Sequence, residues 1–296
     1  MVRTGLLVAG TVLLAGAGLV ACGDDGGSSG ASSSAGPTLN ITAEEYSFGV
    51  DGQAQAGLTT VTFTNQGQQP HIASVLKLQP GKTLDDALKV LGADNPDEAA
   101  MAAVFAGDPS TSFSGFPGLL FKGDKQTTIT KDLTAGTYAL VCYLPSPDGK
   151  PHFLQGMAKQ LTVGAAVTPA PSDPKTTGQI AITDGAFTLP SKMESGTYLV
   201  VNNGKEPHEI NIAQVPDGTT VADVDKSING YFNAVGQTPP PTVPDFPANL
   251  VGGFSDSVPP GGSAYMVLNL PKGNYIVAGD SDDSGNTTFS ATFVVK

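Results

Sequence analysis

Apolar and polar positions alternate with a period of two through several short segments of this chain. Leu58-Thr-Thr-Val-Thr-Phe-Thr64 is the clearest, and it is rich in β-branched residues. Such a run reads as a half-buried strand, because successive side chains of an extended chain point to opposite faces. Residues 72–78, 126–133, 136–143 and 157–163 behave alike. Turn-forming clusters punctuate them: Asn65-Gln-Gly67, Pro80-Gly81 and Pro147-Asp-Gly149. Two stretches, 83–91 and 96–106, instead repeat Leu, Ala and Val at three- and four-residue steps, which predicts helices inserted between strands. The pattern as a whole predicts an all-β fold with short helical insertions.

The pattern also occurs twice. Asn65-Gln-Gly-Gln-Gln-Pro-His71 is echoed by Asn202-Asn-Gly-Lys-Glu-Pro-His208, and Gly136-Thr-Tyr138 by Gly273-Asn-Tyr275, both at an offset of 137 residues. Phe116 and Phe254 match at 138. These matches at nearly constant spacing predict tandem copies, 38–164 and 177–296, each of a size that suits a β-sandwich. Residues 165–176 hold three prolines and read as an extended linker. Where the first copy has its helical insertions, the second shows a Pro-rich excursion, Thr238-Pro-Pro-Pro-Thr-Val-Pro.

The N-terminus departs from both patterns. Arg3 precedes an apolar run rich in small residues, Gly5 to Ala21, which ends in Leu19-Val-Ala-Cys22. This is the layout of an export signal, and its last four residues resemble the lipobox of bacterial lipoproteins. That resemblance implies cleavage before Cys22, lipidation of Cys22, and a protein held on the outer face of the cell membrane. Residues 23–37, almost entirely Gly, Ser and Ala with two Asp, read as a flexible tether. The formal net charge is −12, and Arg3 is the only arginine, so the remaining 14 cationic residues are lysines against 27 acids. Nucleic acid is not an expected partner, because it requires clustered cations. The sequence leaves the oligomeric state open.

Once Cys22 is set aside, Cys142 is the only thiol left. It opens Cys142-Tyr-Leu-Pro-Ser-Pro-Asp-Gly-Lys-Pro-His152-Phe-Leu-Gln-Gly-Met157. In a sandwich, the loop between two such strands would lie at one end, beside the strand that begins near His71. Two imidazoles, a thiolate and a thioether would then converge. A trigonal His₂Cys set with a weak axial Met is the donor set of blue-copper electron-transfer centres. At these residues the chain resembles the cupredoxins, the plastocyanin-like proteins. The first family histidine follows an Asn-x-x-x-x-Pro run, and the second block ends in His, four residues and Met. The resemblance implies two Greek-key sandwiches and one type 1 copper, cycling between Cu(I) and Cu(II), held by His71, Cys142, His152 and Met157. Nine residues separate Cys142 from His152, where plastocyanin-like proteins have two.

The second copy keeps His208 but has Gly279 in place of Cys142, so no type 1 centre is expected there. His208 is read as a structural residue holding a loop. Tandem cupredoxin domains also build multicopper oxidases and copper nitrite reductases, whose catalytic coppers need further histidines, often in His-x-His pairs. Histidines 71, 152 and 208 are the only three here, so no enzyme activity is expected. The expectation is a membrane-tethered carrier of single electrons to a redox partner protein. A copper storage or delivery protein and a metal-free interaction module are the alternatives.

Overall fold

The computed structural model describes residues 36–93, 97–107, 116–122, 126–234, 249–254, 257–280 and 286–296. The export signal with Cys22, nearly all of the tether and the Pro-rich run at 238–244 lie outside the described residues. Strands β1 (Thr38–Glu44), β2 (Ser47–Gly52), β3 (Ala54–Gln55), β4 (Gly57–Asn65), β5 (Ser74–Lys77), β6 (Thr127–Leu133), β7 (Gly136–Val141) and β8 (Ala158–Gly164) build the first half. The second half holds β9 (Gly178–Thr183), β10 (Ala186–Thr188), β11 (Gly196–Asn202), β12 (Asn211–Val215), β13 (Asn249–Gly253), β14 (Ser263–Leu268), β15 (Gly273–Ala278) and β16 (Ser290–Val295). No regular element occupies 165–177.

Alternation explains β4 directly. Thr59, Val61, Phe63 and Asn65 are buried on one face. Two threonines of the other face are paired across the sheet, with hydroxyl contacts of 2.8 Å from Thr60 to Thr130 and 3.1 Å from Thr62 to Thr128. Such cross-strand pairs fix register as well as adding stability.

Each half is a sandwich of two sheets, with β1 parallel to β4 in one and β9 parallel to β11 in the other. One sheet of each half is self-contained, ordered β3-β8-β7-β5 and β13-β12-β15-β16. The other two are fused into a single eight-stranded sheet, β10-β9-β11-β14-β6-β4-β1-β2. Its seam is an antiparallel pairing of β14 with β6, Tyr265 opposite Thr130, Met266 opposite Ile129 and Val267 opposite Thr128. A second crossing reinforces it, where Gly118 N–H donates to Gly253 O at 3.0 Å. Two strands that would be exposed edges in separate sandwiches satisfy each other's backbone groups instead.

Helices α1 (Leu84–Leu91) and α2 (Glu98–Val104) lie where the three- and four-residue steps place them. Thr83 and Asp86 form a reciprocal capping box at the start of α1. With Leu76, Leu78 and Phe105, the helices enclose a small apolar cluster apart from the main core. The second half holds a helix that the pattern reading missed, α3 (Val221–Ala234). Thr220 and Asp223 cap its start through reciprocal hydrogen bonds. The signal was present, because Thr220-x-x-Asp223 repeats Thr83-x-x-Asp86 at the same offset of 137. Among the described residues, no helix is long and apolar enough to cross a membrane.

Candidate metal centre

One end of the first sandwich is braced by Asn65, the last residue of β4. Its side-chain amide donates to Gln69 O at 2.8 Å and Leu120 O at 3.0 Å, and its Oδ1 accepts from Gly67 N–H at 2.8 Å. These bonds fold residues 66–70 into a tight turn. His71 is then fixed by a two-way backbone pairing with Leu120, 3.0 Å in each direction. Glu45, at the corner between β1 and β2, accepts from the backbone N–H of Gln68 and of Gln69. Burial pushes the Glu45 carboxyl up, but these two N–H donors outweigh it and hold the group below its usual range.

The nine-residue interval after Cys142 does not become a wide loop. Ser146 N–H donates to Lys150 O at 2.9 Å, Gly149 N–H donates to Ser146 O at 2.8 Å, and Pro145 bridges to Pro151. Residues 145–151 therefore leave and return as a small closed hairpin. His152 N–H donates to Leu144 O at 2.9 Å, which places His152 beside Leu144. Only Tyr143 and Leu144 effectively separate Cys142 from His152, the spacing of the shorter loops. A 3-10 turn over His152–Gln155 follows and is closed by Gly156 in the left-handed region at φ 114. That conformation suits glycine because positive φ is strained for any residue with a Cβ. The chain then returns as Met157, whose carbonyl accepts from Cys142 N–H at 3.2 Å.

These loops bring His71, Cys142 and His152 together, with one ligand atom of each lying within 4.8 Å of the others. All three are fully buried, as is Met157. Cys142 Sγ is 3.4 Å from His152 Nδ1, and the two imidazole centroids are 5.0 Å apart. Burial pulls the His152 imidazole down to about 4, helped by the neighbouring His71. Burial also lowers His71, against the attraction of Glu45. Both rings are therefore neutral near pH 7, the form that binds metal. Burial pushes the Cys142 thiol up to about 11, against backbone hydrogen bonds from Ile72 and Leu144. An incoming cation would displace its proton.

The donor set passes a further test. Neither ring nitrogen of His71 has a hydrogen-bond partner, although both are buried. Its Nε2 stands 3.6 Å from Glu45 Oε1, beyond hydrogen-bonding range. Buried polar atoms without partners are rare in folded proteins and point to a missing ligand. A soft cation held by two imidazoles and a thiolate would satisfy the orphaned group.

The second copy reproduces the brace and changes what it carries. Asn202 donates to Glu206 O and Val258 O at 2.7 Å each, and its Oδ1 accepts from Gly204 N–H at 2.8 Å. His208 pairs with Val258 as His71 does with Leu120. Its ring, however, is tied off on both sides, with Nε2 2.9 Å from Asp184 and Nδ1 2.7 Å from Asp280. The position of Met157 is taken by Phe289, whose carbonyl accepts from Gly279 N–H at 3.0 Å. A Cβ on Gly279 would come within 2.4 Å of the Phe289 ring, so the aromatic side chain fills the room that a cysteine would need. The expected loop-holding role of His208 is what the hydrogen bonds describe. Residues 281–285, which follow Asp280, lie outside the described residues.

Three residues of the first site went unremarked in the sequence: Glu45, Tyr46 and Gln69. Glu45-Tyr-Ser-Phe48 and Asp184-Gly-Ala-Phe187 match at an offset of 139, slightly off the main repeat, and that match marks the corner.

No protein-family model matches the chain, and no curated protein sequence does. Solved structures align with it. A dithionite-reduced auracyanin from the photosynthetic bacterium Roseiflexus castenholzii is 26% identical over 43% of this chain and 96% of its own, with a TM-score of 0.29. Rusticyanin from Thiobacillus ferrooxidans is 20% identical over 44% and 79%, with a TM-score of 0.23. A blue copper oxidase from Nitrosomonas europaea spans 86% of this chain and 84% of its own at 13% identity and a TM-score of 0.22. At such scores these likenesses carry no weight of their own. The strand order and the buried triad do, and they give the chain a cupredoxin-like fold in two tandem sandwiches.

Proposed function

We propose that this protein is a type 1 copper protein that carries single electrons. Its partner would be a second redox protein outside the cytoplasmic membrane, to which a lipid on Cys22 would tether it. The observation that carries this reading is the buried His71–Cys142–His152 cluster with both His71 nitrogens unpartnered. His71, Cys142 and His152 would hold the ion, with the buried Met157 thioether as a further soft donor. Bound there, copper supplies a one-electron couple between Cu(I) and Cu(II).

The chain's own residues do the rest. The Asn65 brace and the 145–151 hairpin hold the donors before metal arrives, so little need move when charge changes. Burial of all three excludes water and keeps both imidazoles neutral. No catalytic role is proposed, because the three histidines leave no donors for a second copper.

The test is visible absorption of residues 36–296 loaded with Cu(II). An intense thiolate-to-copper band is expected. Cys142→Ser should abolish it, and His208→Ala should leave it in place. A protein that stays colourless and takes up no copper would sink this reading. Rapid, reversible electron exchange is expected of a carrier, whereas ready loss of copper to a chelator would favour the delivery alternative.

A further inference from the structure

The outer edge of His152 is not left bare. Its Nε2 lies 3.1 Å from Gln69 Oε1. The other end of the same amide, Gln69 Nε2, donates to Tyr46 OH at 3.1 Å. The Tyr46 ring stands edge-on against the His152 ring, with centroids 5.1 Å apart and planes at 66°. Gln69 is itself held at both backbone groups, its N–H by Glu45 at 2.8 Å and its carbonyl by Asn65 at 2.8 Å. Tyr46 and Gln69 thus form a clamp on the face of His152 that points away from Cys142.

Tyr46 occupies its place at a conformational cost. Among the described residues it is the one non-glycine at positive φ, 59°. A side chain in the left-handed region costs about 1–2 kcal/mol, and Tyr has no short polar group to offset it. The equivalent corner of the second copy shows the unstrained solution, Gly185 at φ 107. Glutamine is likewise replaced there, by Glu206. The bracing residues are common to both copies. The clamp residues occur only where the buried His₂Cys cluster does. Strain kept at one corner and relieved at its counterpart marks the aromatic ring as functional rather than architectural.

We propose that Gln69 and Tyr46 are positioning residues that preset the tautomer of His152. With its NH₂ engaged by Tyr46, Gln69 presents only an acceptor, so the imidazole proton must sit on Nε2. The Nδ1 lone pair then faces Cys142 and His71, ready for a cation. The reversed amide would donate to Nε2, send the proton to Nδ1 and block the ligand position. A hydrogen-bonded partner on the far nitrogen commonly fixes metal-binding histidines in this way. The clamp also covers the outer imidazole edge, which leaves no bare ring there. The inference deepens the copper reading and rests on it for the role of the preset. The preset itself exists without metal.

Long-range ¹H–¹⁵N correlation spectra of residues 36–296 test this in the metal-free and Cu(I)-loaded states. His152 is expected as the Nε2–H tautomer in both, with a slowly exchanging ring proton. Gln69→Leu should give mixed tautomers in the metal-free protein and at least tenfold faster exchange. Tyr46→Phe keeps the ring but frees the amide, and should give an intermediate rate while folding normally. Each change should weaken Cu(I) affinity, measured by competition with a chelator, by roughly 10- to 100-fold, the usual range for such partners. An Nδ1–H tautomer in the metal-free wild type would overturn the proposal, as would unchanged exchange in both variants. Failure of the copper reading looks different, because the wild type would then take up no metal whatever its tautomer.

Discussion

Replacing His71 by leucine is expected to stabilise the metal-free protein while abolishing its copper binding. His71 is fully buried, and neither Nδ1 nor Nε2 has a partner. A buried polar group left unsatisfied costs about 1–3 kcal/mol, whereas an apolar group of similar size in its place is close to neutral or favourable. Burial opposes protonating the ring, which would be needed for a full ion pair with Glu45. At pH 8 a neutral Nε2 at 3.6 Å from the carboxylate gains little from it, and the orphaned nitrogens decide the sign. The expected gain is on the order of 1–2 kcal/mol, read by urea unfolding of the metal-free protein at pH 8. For a chain of this size that corresponds to a melting point higher by roughly 2–8 °C. Free Cu at a hundred times Kd should stabilise the wild type by about 2.7 kcal/mol and the variant not at all. A metal-free His71→Leu protein weakened by 1 kcal/mol or more would refute the reasoning, since His71 would then be a satisfied structural residue.

The second copy titrates in the opposite sense from the first. Burial pulls His208 down, but its hydrogen bonds to Asp184 and Asp280 outweigh that and raise it above the usual value, so its contribution is complete below pH 6.5 and is lost as pH rises. Burial, with the nearby Asp280, lifts Glu209 from 4.5 to about 7, so its contribution fades across that window as pH rises. Glu209→Gln should flatten the fall in stability between pH 5 and 7, by no more than about 1.4 kcal/mol per pH unit; identical slopes in urea titrations would count against the assignment. In the metal-free first copy, His152 at about 4 acts the other way, adding stability above pH 6.5 and losing it as pH falls to 4. Separately, a fragment of residues 36–164 uncovers the β6 edge that pairs with β14. It should self-associate or unfold at lower denaturant than the whole chain, and a monomer of undiminished stability in sedimentation and urea experiments would contradict a structural role for the seam.

Much of this was readable because it is local. Alternation in Leu58-Thr-Thr-Val-Thr-Phe-Thr64 marks a strand whatever lies around it, and the repeat at 137 residues marks two copies without reference to geometry. His71, Cys142 and His152 could be gathered because the donor set is chemically distinctive and two of its members share one segment. What was not readable depends on contacts distant in sequence. The fused sheet arises from β6 meeting β14, whose alternation is the same whether they pair or face solvent. The spacing from Cys142 to His152 was misleading for a similar reason. A count of nine residues does not reveal that Ser146 and Lys150 close a hairpin and deliver His152 to Leu144.

Tyr46 is the hardest case, and the most informative. Local preference argues against an aromatic residue at a left-handed corner, and Gly185 shows what that preference selects when nothing else acts. Local rules are expected to fail where a site overrides them. The comparison between copies separates the two kinds of residue. Asn65 and Asn202, with the acids Glu45 and Asp184, hold the same turn in both, so they belong to the fold. Cys142 against Gly279, Met157 against Phe289, and Tyr46 against Gly185 differ, and in each case the second copy has the choice that packs or relaxes without a ligand. In the first copy a thiol is buried beside two imidazoles, one without partners, and a tyrosine is strained to hold the other. The orphaned imidazole and the strained tyrosine weaken the metal-free protein, and a bound cation would reverse the first of these.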